Sequence, residues 1–138
     1  MAKDYKDNNI KSFGLDRIQK LDITKKKYLF PDKFDVYEMF KNCYGIYTPK
    51  NVSEQPETIV LSFEPVDGRY LKSNKLHEFQ EVIIDNEEEI RIKLRVYITP
   101  DFIMELLSHG ENLEIISPAK LKKEIRKIYS QALKQYES

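Results

Sequence analysis

The sequence predicts an α+β fold: a ferredoxin-like βαββαβ sandwich, an antiparallel sheet with helices on one side. A C-terminal helix closes the fold, and a strand and a linker helix precede it. Three observations carry this expectation. Residues 90–98 alternate strictly between apolar and polar side chains, which is the period of a half-buried strand. From residue 58 onward the patterns run strand, helix, strand, strand, helix, strand, helix, an order that matches split βαβ connectivity. Gly110 and the Ser117-Pro118 pair bracket the last short strand and separate two amphipathic helices.

Taken in order, the first residues, "MAKDYKDNN", are polar and read as frayed. "IKSFGLDRIQKLDIT" reads as a strand over 10–23, bent at Gly14. An unpaired strand is a liability, so this one needs a partner from a second copy or from the linker region. Asp32 is placed to cap a helix carrying Phe34, Tyr37, Phe40 and Tyr44, and Gly45 supplies a left-handed stop. "TPKNVSEQPE" has two prolines and no periodicity and reads as a linker.

Beyond the linker, "TIVLSFEP" sets Ile59, Leu61 and Phe63 on one strand face. "VDGRYLKSNKLHEF" reads as a helix or broken helix, and "QEVIID" as a strand entering the acidic turn at Glu87, Glu88 and Glu89. In "IRIKLRVYI", Ile90, Ile92, Leu94 and Val96 oppose Arg91, Lys93, Arg95 and Tyr97. Pro100 opens a helix with Phe102, Ile103, Leu106 and Leu107 on its apolar stripe, ending at Gly110. After the strand "LEIIS", Ser117 caps and Pro118 starts a helix whose inner face holds Leu121, Ile125, Ile128, Tyr129 and Ala132.

Composition limits the function classes. The chain has 138 residues, 23 basic and 23 acidic, so it is not a globally basic nucleic-acid binder, although a local patch remains open. One cysteine, Cys43, excludes an internal disulfide and suits a reducing cytoplasm. No apolar run approaches a membrane span. His77, His109 and Cys43 lack the close spacing of a metal site, and the four glycines are scattered singly rather than forming a phosphate loop. His109 reads as a charge near the negative end of a helix, and Cys43 as packing. The expectation is a protein with no catalytic residues, metal or cofactor.

One constellation has the look of a binding site. Alternation puts Arg91, Lys93, Arg95 and Tyr97 on one side of a strand, about 6.6 Å apart. Such a row can track the phosphates of a single strand, with Tyr97 stacking a base. The alternative is an ordinary solvent face whose cations pair with Glu81 or Glu114.

Four segments, in order, resemble the C-terminal part of WYL-domain transcriptional regulators. "KSFGLDRIQKLDIT" is similar to the last strand of the WYL domain, with Phe13, Leu15, Asp16, Arg17 and Ile18 matching and Lys11 and Gly14 standing where Arg is common. "FDVYEMFKNCYGIY" resembles the family's linker helix. "RYLKSNKLHEFQEV" and "LLSHGENLEIISPAKLKKEIRKIYSQALKQY" resemble two parts of its C-terminal extension. The resemblance implies that residues 1–48 are the end of a WYL domain with its linker helix, and 58–138 the extension domain. It further implies a bacterial regulatory module that senses a ligand and forms a homodimer, the ligand being a small-molecule effector or single-stranded nucleic acid. DNA would be read by an upstream helix-turn-helix absent from this chain. Lys11 and Arg17 then join Arg91, Lys93, Arg95 and Tyr97 as candidate ligand-binding residues. A free-standing ferredoxin-like module that binds nucleic acid or protein is the alternative.

Overall fold

The computed structural model describes residues 1–29, 33–49 and 54–137. Its contacts divide the chain into two compact units, Met1–Asp35 and Val36–Ser138. The contact boundary thus falls upstream of the 48–57 linker expected from composition. Asp32, expected to cap the linker helix, and the centre of that linker lie outside the described residues.

In the first unit, strands β1 (Ala2–Lys3) and β2 (Ile10–Lys11) pair antiparallel. Asn8 turns the chain between them with φ of 59°, a left-handed conformation that Asn tolerates. Two sequence expectations are corrected here. The opening residues are paired rather than frayed, and the strand expected over 10–23 is two residues long. Past Lys11 no other segment among the described residues pairs with it, and residues Leu15–Arg17 wind into a 3-10 turn instead.

The second unit begins with helix α1 (Val36–Phe40), and the helical pattern expected to reach Tyr44 stops short. Tertiary bonds stop it. The Asn42 carbonyl turns away to accept the Tyr97 N–H at 2.8 Å, and the Cys43 N–H closes a turn on the Phe40 carbonyl. Gly45 does take the left-handed stop, with φ of 71°. The elements that follow are β3 (Glu57–Phe63), α2 (Pro65–Ser73), β4 (Glu81–Asp85), β5 (Ile90–Val96), α3 (Pro100–Ser108), β6 (Leu113–Ser117) and α4 (Ala119–Leu133). The four strands form one antiparallel sheet in the order β4-β5-β3-β6, the ferredoxin-like arrangement.

The expected strand parity holds. Ile90, Ile92, Leu94 and Val96 are each at most 1% exposed, and they join Ile59, Leu61, Phe63 and Ile115 in a core covered by Leu71, Phe102, Leu106, Leu121 and Ile125. At the start of α4 one detail differs: Pro118 occupies the N-cap position and Ser117 makes no capping bond. Ser117 instead sits opposite Val60 as the last paired residue of β6. The far end of α3 is closed by Tyr129 of α4, whose hydroxyl donates to the carbonyls of Leu107 and Gly110.

Gly68 shows how tightly α2 lies on the sheet. A Cβ there would stand 2.5 Å from Cβ of Ile90, a backbone-anchored atom that cannot swing aside. In an open helix, Gly to Ala stabilises by roughly 0.5–1 kcal/mol. Here the sign should reverse, and Gly68→Ala should cost about 1–3 kcal/mol through overpacking. Urea unfolding checks this; a midpoint equal to or above that of the wild type would contradict the packing described.

Candidate ligand-binding face of the sheet

Because side chains alternate along a strand, burying the apolar set of β5 turns Arg91, Lys93 and Arg95 to the other face. Cross-strand neighbours complete that surface: Thr58, Val60 and Ser62 from β3, Glu81 and Ile84 from β4, and Glu114 and Ser117 from β6. Each β5 cation then meets its own partner. Arg91 grips Glu89 through two bonds, Nε to Oε2 at 3.0 Å and a terminal nitrogen to Oε1 at 2.8 Å. The Ser62 hydroxyl donates to the same carboxylate. That hydroxyl first, and Arg91 after it, hold Glu89 below the usual carboxylate range. Lys93 pairs with Glu81 at 2.7 Å, straight across the β4–β5 ladder. Arg95 donates from Nε to the Pro56 carbonyl at 3.3 Å. Of the two carboxylates expected to pair with this row, Glu81 does so, while Glu114 bonds Lys122 of α4 at 2.7 Å.

The six candidate residues therefore separate. Lys11 and Arg17 belong to the first unit. Lys11 is held by Asp4 at 2.7 Å and Asp7 at 2.5 Å, which raises its pKa and lowers theirs, whereas Arg17 is exposed beside Asp16. Tyr97 lies just past β5 and lines a hollow of about 390 Å³ with Ile98, Lys120, Glu57 and Glu124. Lys93 and Arg95 line a different hollow, of about 300 Å³, with Thr58, Glu81, Asn42 and Phe79.

Sequence reasoning missed Asn42 and Phe79, which come from loops. Phe79 follows α2 in the stretch 74–80, which Gln80 ties down. The buried Gln80 amide donates to the Leu71 carbonyl at 2.8 Å and accepts the Leu76 N–H at 2.9 Å. One neighbour of the Phe79 ring is His77, 5.3 Å away between centroids. The Tyr37 hydroxyl of α1 donates to Glu78 of the same loop at 3.2 Å, so the loop and α1 brace each other. Asn42 is set by its bond to Tyr97, and the next residues are pinned by Asp101, whose Oδ2 accepts the N–H groups of Ile46 and Tyr47. Tyr44 packs on Phe102 at 5.7 Å, and its phenol is pushed up to about 12, by burial first and then by its bond to Glu105. Burial likewise raises the Cys43 thiol, which disfavours its thiolate form.

Among the described residues, no group of three or more His, Cys, Asp or Glu is placed to hold a metal ion, and no helix is long and apolar enough to cross a membrane. The family profile of the WCX domain matches residues 55–133, from just before β3 to the last residue of α4. The chain belongs to the WCX domain family. WCX domains occur at the C-terminus of WYL-type regulators, so this chain carries a regulatory-type module, as the resemblance implied. No curated protein matches the chain.

The burial of His77 makes the packing of the 74–80 loop testable by pH. Burial disfavours its charged form and depresses its pKa below the ordinary 6.5. The unfolded chain therefore binds the proton more readily, and stability falls as pH drops below 6.5 toward the folded value. An NMR titration of the imidazole should give a midpoint under 6.5, and His77→Gln should flatten the pH dependence of stability in that window. A midpoint at or above the ordinary value would remove the argument.

Proposed function

We propose that this chain is the ligand-sensing and dimerising module of a cytoplasmic transcriptional regulator, and that it performs no catalysis. The observation that carries the reading is the extent of the WCX match, which takes in every element of the ferredoxin-like sandwich and its closing helix. The module acts with a DNA-binding element of the regulator. A ligand bound more tightly in one arrangement of the regulator than in the other shifts its DNA-binding equilibrium by that difference.

Two surfaces support the finer points of this reading. The C-terminal half of α4 leaves Leu133 57% exposed and Tyr129 half-exposed, beside a groove lined by Leu106, Leu113, Ile115 and Ile125. An apolar stripe leaving the core at a helix end suits a second copy of the same helix, because a twofold contact needs one self-complementary patch. The open face of the sheet carries the cations that an anionic effector needs.

Sedimentation of the 138-residue chain tests the first point. A dimer is expected, and Leu133→Glu should shift it to monomer with an unchanged circular dichroism spectrum; a monomeric wild type would refute dimerisation. Thermal unfolding against a panel of anionic metabolites and short single-stranded oligonucleotides tests the second. At least one class should raise the midpoint by mass action, and a flat panel would refute sensing.

A further inference from the structure

The hollow on the open face of the sheet has a chemical character of its own. Lys93 and Arg95 reach it from neighbouring same-face positions of β5, Phe79 comes from the loop after α2, and Asn42 and Thr58 add polar groups. Against these two cations stands one carboxylate, Glu81. The site has a net positive charge and an aromatic ring 41% exposed. Nε of Arg95 is bound to a backbone carbonyl, and its terminal nitrogens have no hydrogen-bond partner among the described residues. Guanidinium groups in that state suit phosphate oxygens. An exposed Phe beside them suits the flat face of a nucleobase.

We propose that this hollow binds one nucleotide unit, its phosphate on Arg95 and Lys93 and its base on Phe79. The inference deepens the ligand-sensing reading above and rests on it. It also divides the basic row: Arg91, closed by Glu89 and Ser62, stays outside the site. Glu81 acts as an internal competitor, because its carboxylate occupies Lys93 until a phosphate displaces it. Asn42 and Thr58 supply the hydrogen-bonding groups of the walls. The unit is either a free mononucleotide or one residue of a single strand, and both present the same phosphate and ring.

Titration calorimetry of the intact chain with adenosine 5′-monophosphate, adenosine, inorganic phosphate and a short oligothymidylate tests this. A phosphate-bearing nucleotide ligand should bind, and adenosine or phosphate alone should bind more weakly. Phe79→Ala and Arg95→Ala should each weaken binding about tenfold or more, as expected for loss of one stacked base or one phosphate contact. Phe79→Tyr should restore it, and thermal unfolding of each variant separates lost contact from lost fold. Glu81→Gln should strengthen binding, which a purely structural role for Glu81 does not produce. Arg91→Ala should leave it unchanged.

Binding of the mononucleotide identifies a small-molecule source, and binding of the oligonucleotide alone identifies a strand; either supports the site if the variants behave as stated. Three results overturn it: neither nucleotide ligand binds, Phe79→Ala has no effect, or Arg91→Ala weakens binding as much as Arg95→Ala. If the wider panel finds a ligand that these variants do not disturb, the sensing reading stands and this site falls.

Discussion

The period of two along β5 is the constraint on which the rest of the unit depends. Ile90, Ile92, Leu94 and Val96 are sealed against the helices, with β3 paired along one side of the strand and β4 along the other. Burying four such side chains contributes on the order of 6–12 kcal/mol, at about 1.5–3 kcal/mol each. A slip of one residue would put Arg91, Lys93 and Arg95 into that core and forfeit the whole sum. Ion pairs on the opposite face contribute at most about 1 kcal/mol each. The core therefore sets the register, and the charged face is its consequence. That ordering explains why a basic row can be placed in one register without being selected for stability.

The same magnitudes separate the cations of the row. Glu89 is fixed by three bonds from two residues, so releasing Arg91 means breaking a shared, partly shielded cluster. Glu81 sits on the edge strand, largely in solvent, and holds Lys93 by a single contact. An exposed pair of that kind is worth so little that an incoming anion can exchange with it. A closed ion-pair cluster at one end of the face is thus compatible with available positive charge at the other.

The sheet was legible in the sequence because its signals are local. Strand parity at 90–98, Pro100 opening α3, Gly45 and Gly110 in left-handed turns, and the split βαβ order can each be read within a short window. What escaped reading was decided at a distance. Helix α1 ends early because Asn42 is drawn to Tyr97, 55 residues later in the chain. Ser117 lost its capping role to its pairing with Val60, across a register shift in β3. Among the described residues, the strand expected over 10–23 has no ladder beyond the two residues that β1 supplies. The hollow was invisible for the same reason: its walls come from positions 42, 58, 79, 81, 93 and 95, and no spacing rule links them.

The upstream wall of that hollow bears on how a bound ligand can be felt elsewhere. The WCX match begins at residue 55, yet the compact unit begins at Val36. Residues 42–47 are fastened to the domain by the Asn42–Tyr97 bond, by Tyr44 against Phe102 and by Asp101 accepting from Ile46 and Tyr47. The Tyr37 hydroxyl, donating to Glu78 at 3.2 Å, adds a further tie on the side where Phe79 stands. Asn42 lines the hollow together with the sheet residues, so the binding energy of the proposed nucleotide would depend on whether this segment is docked. By linkage, a ligand that prefers the docked segment stabilises docking to the same extent. In the proposed site, Asn42 therefore belongs to the wall, and ligand binding there and docking of residues 42–47 are one linked equilibrium.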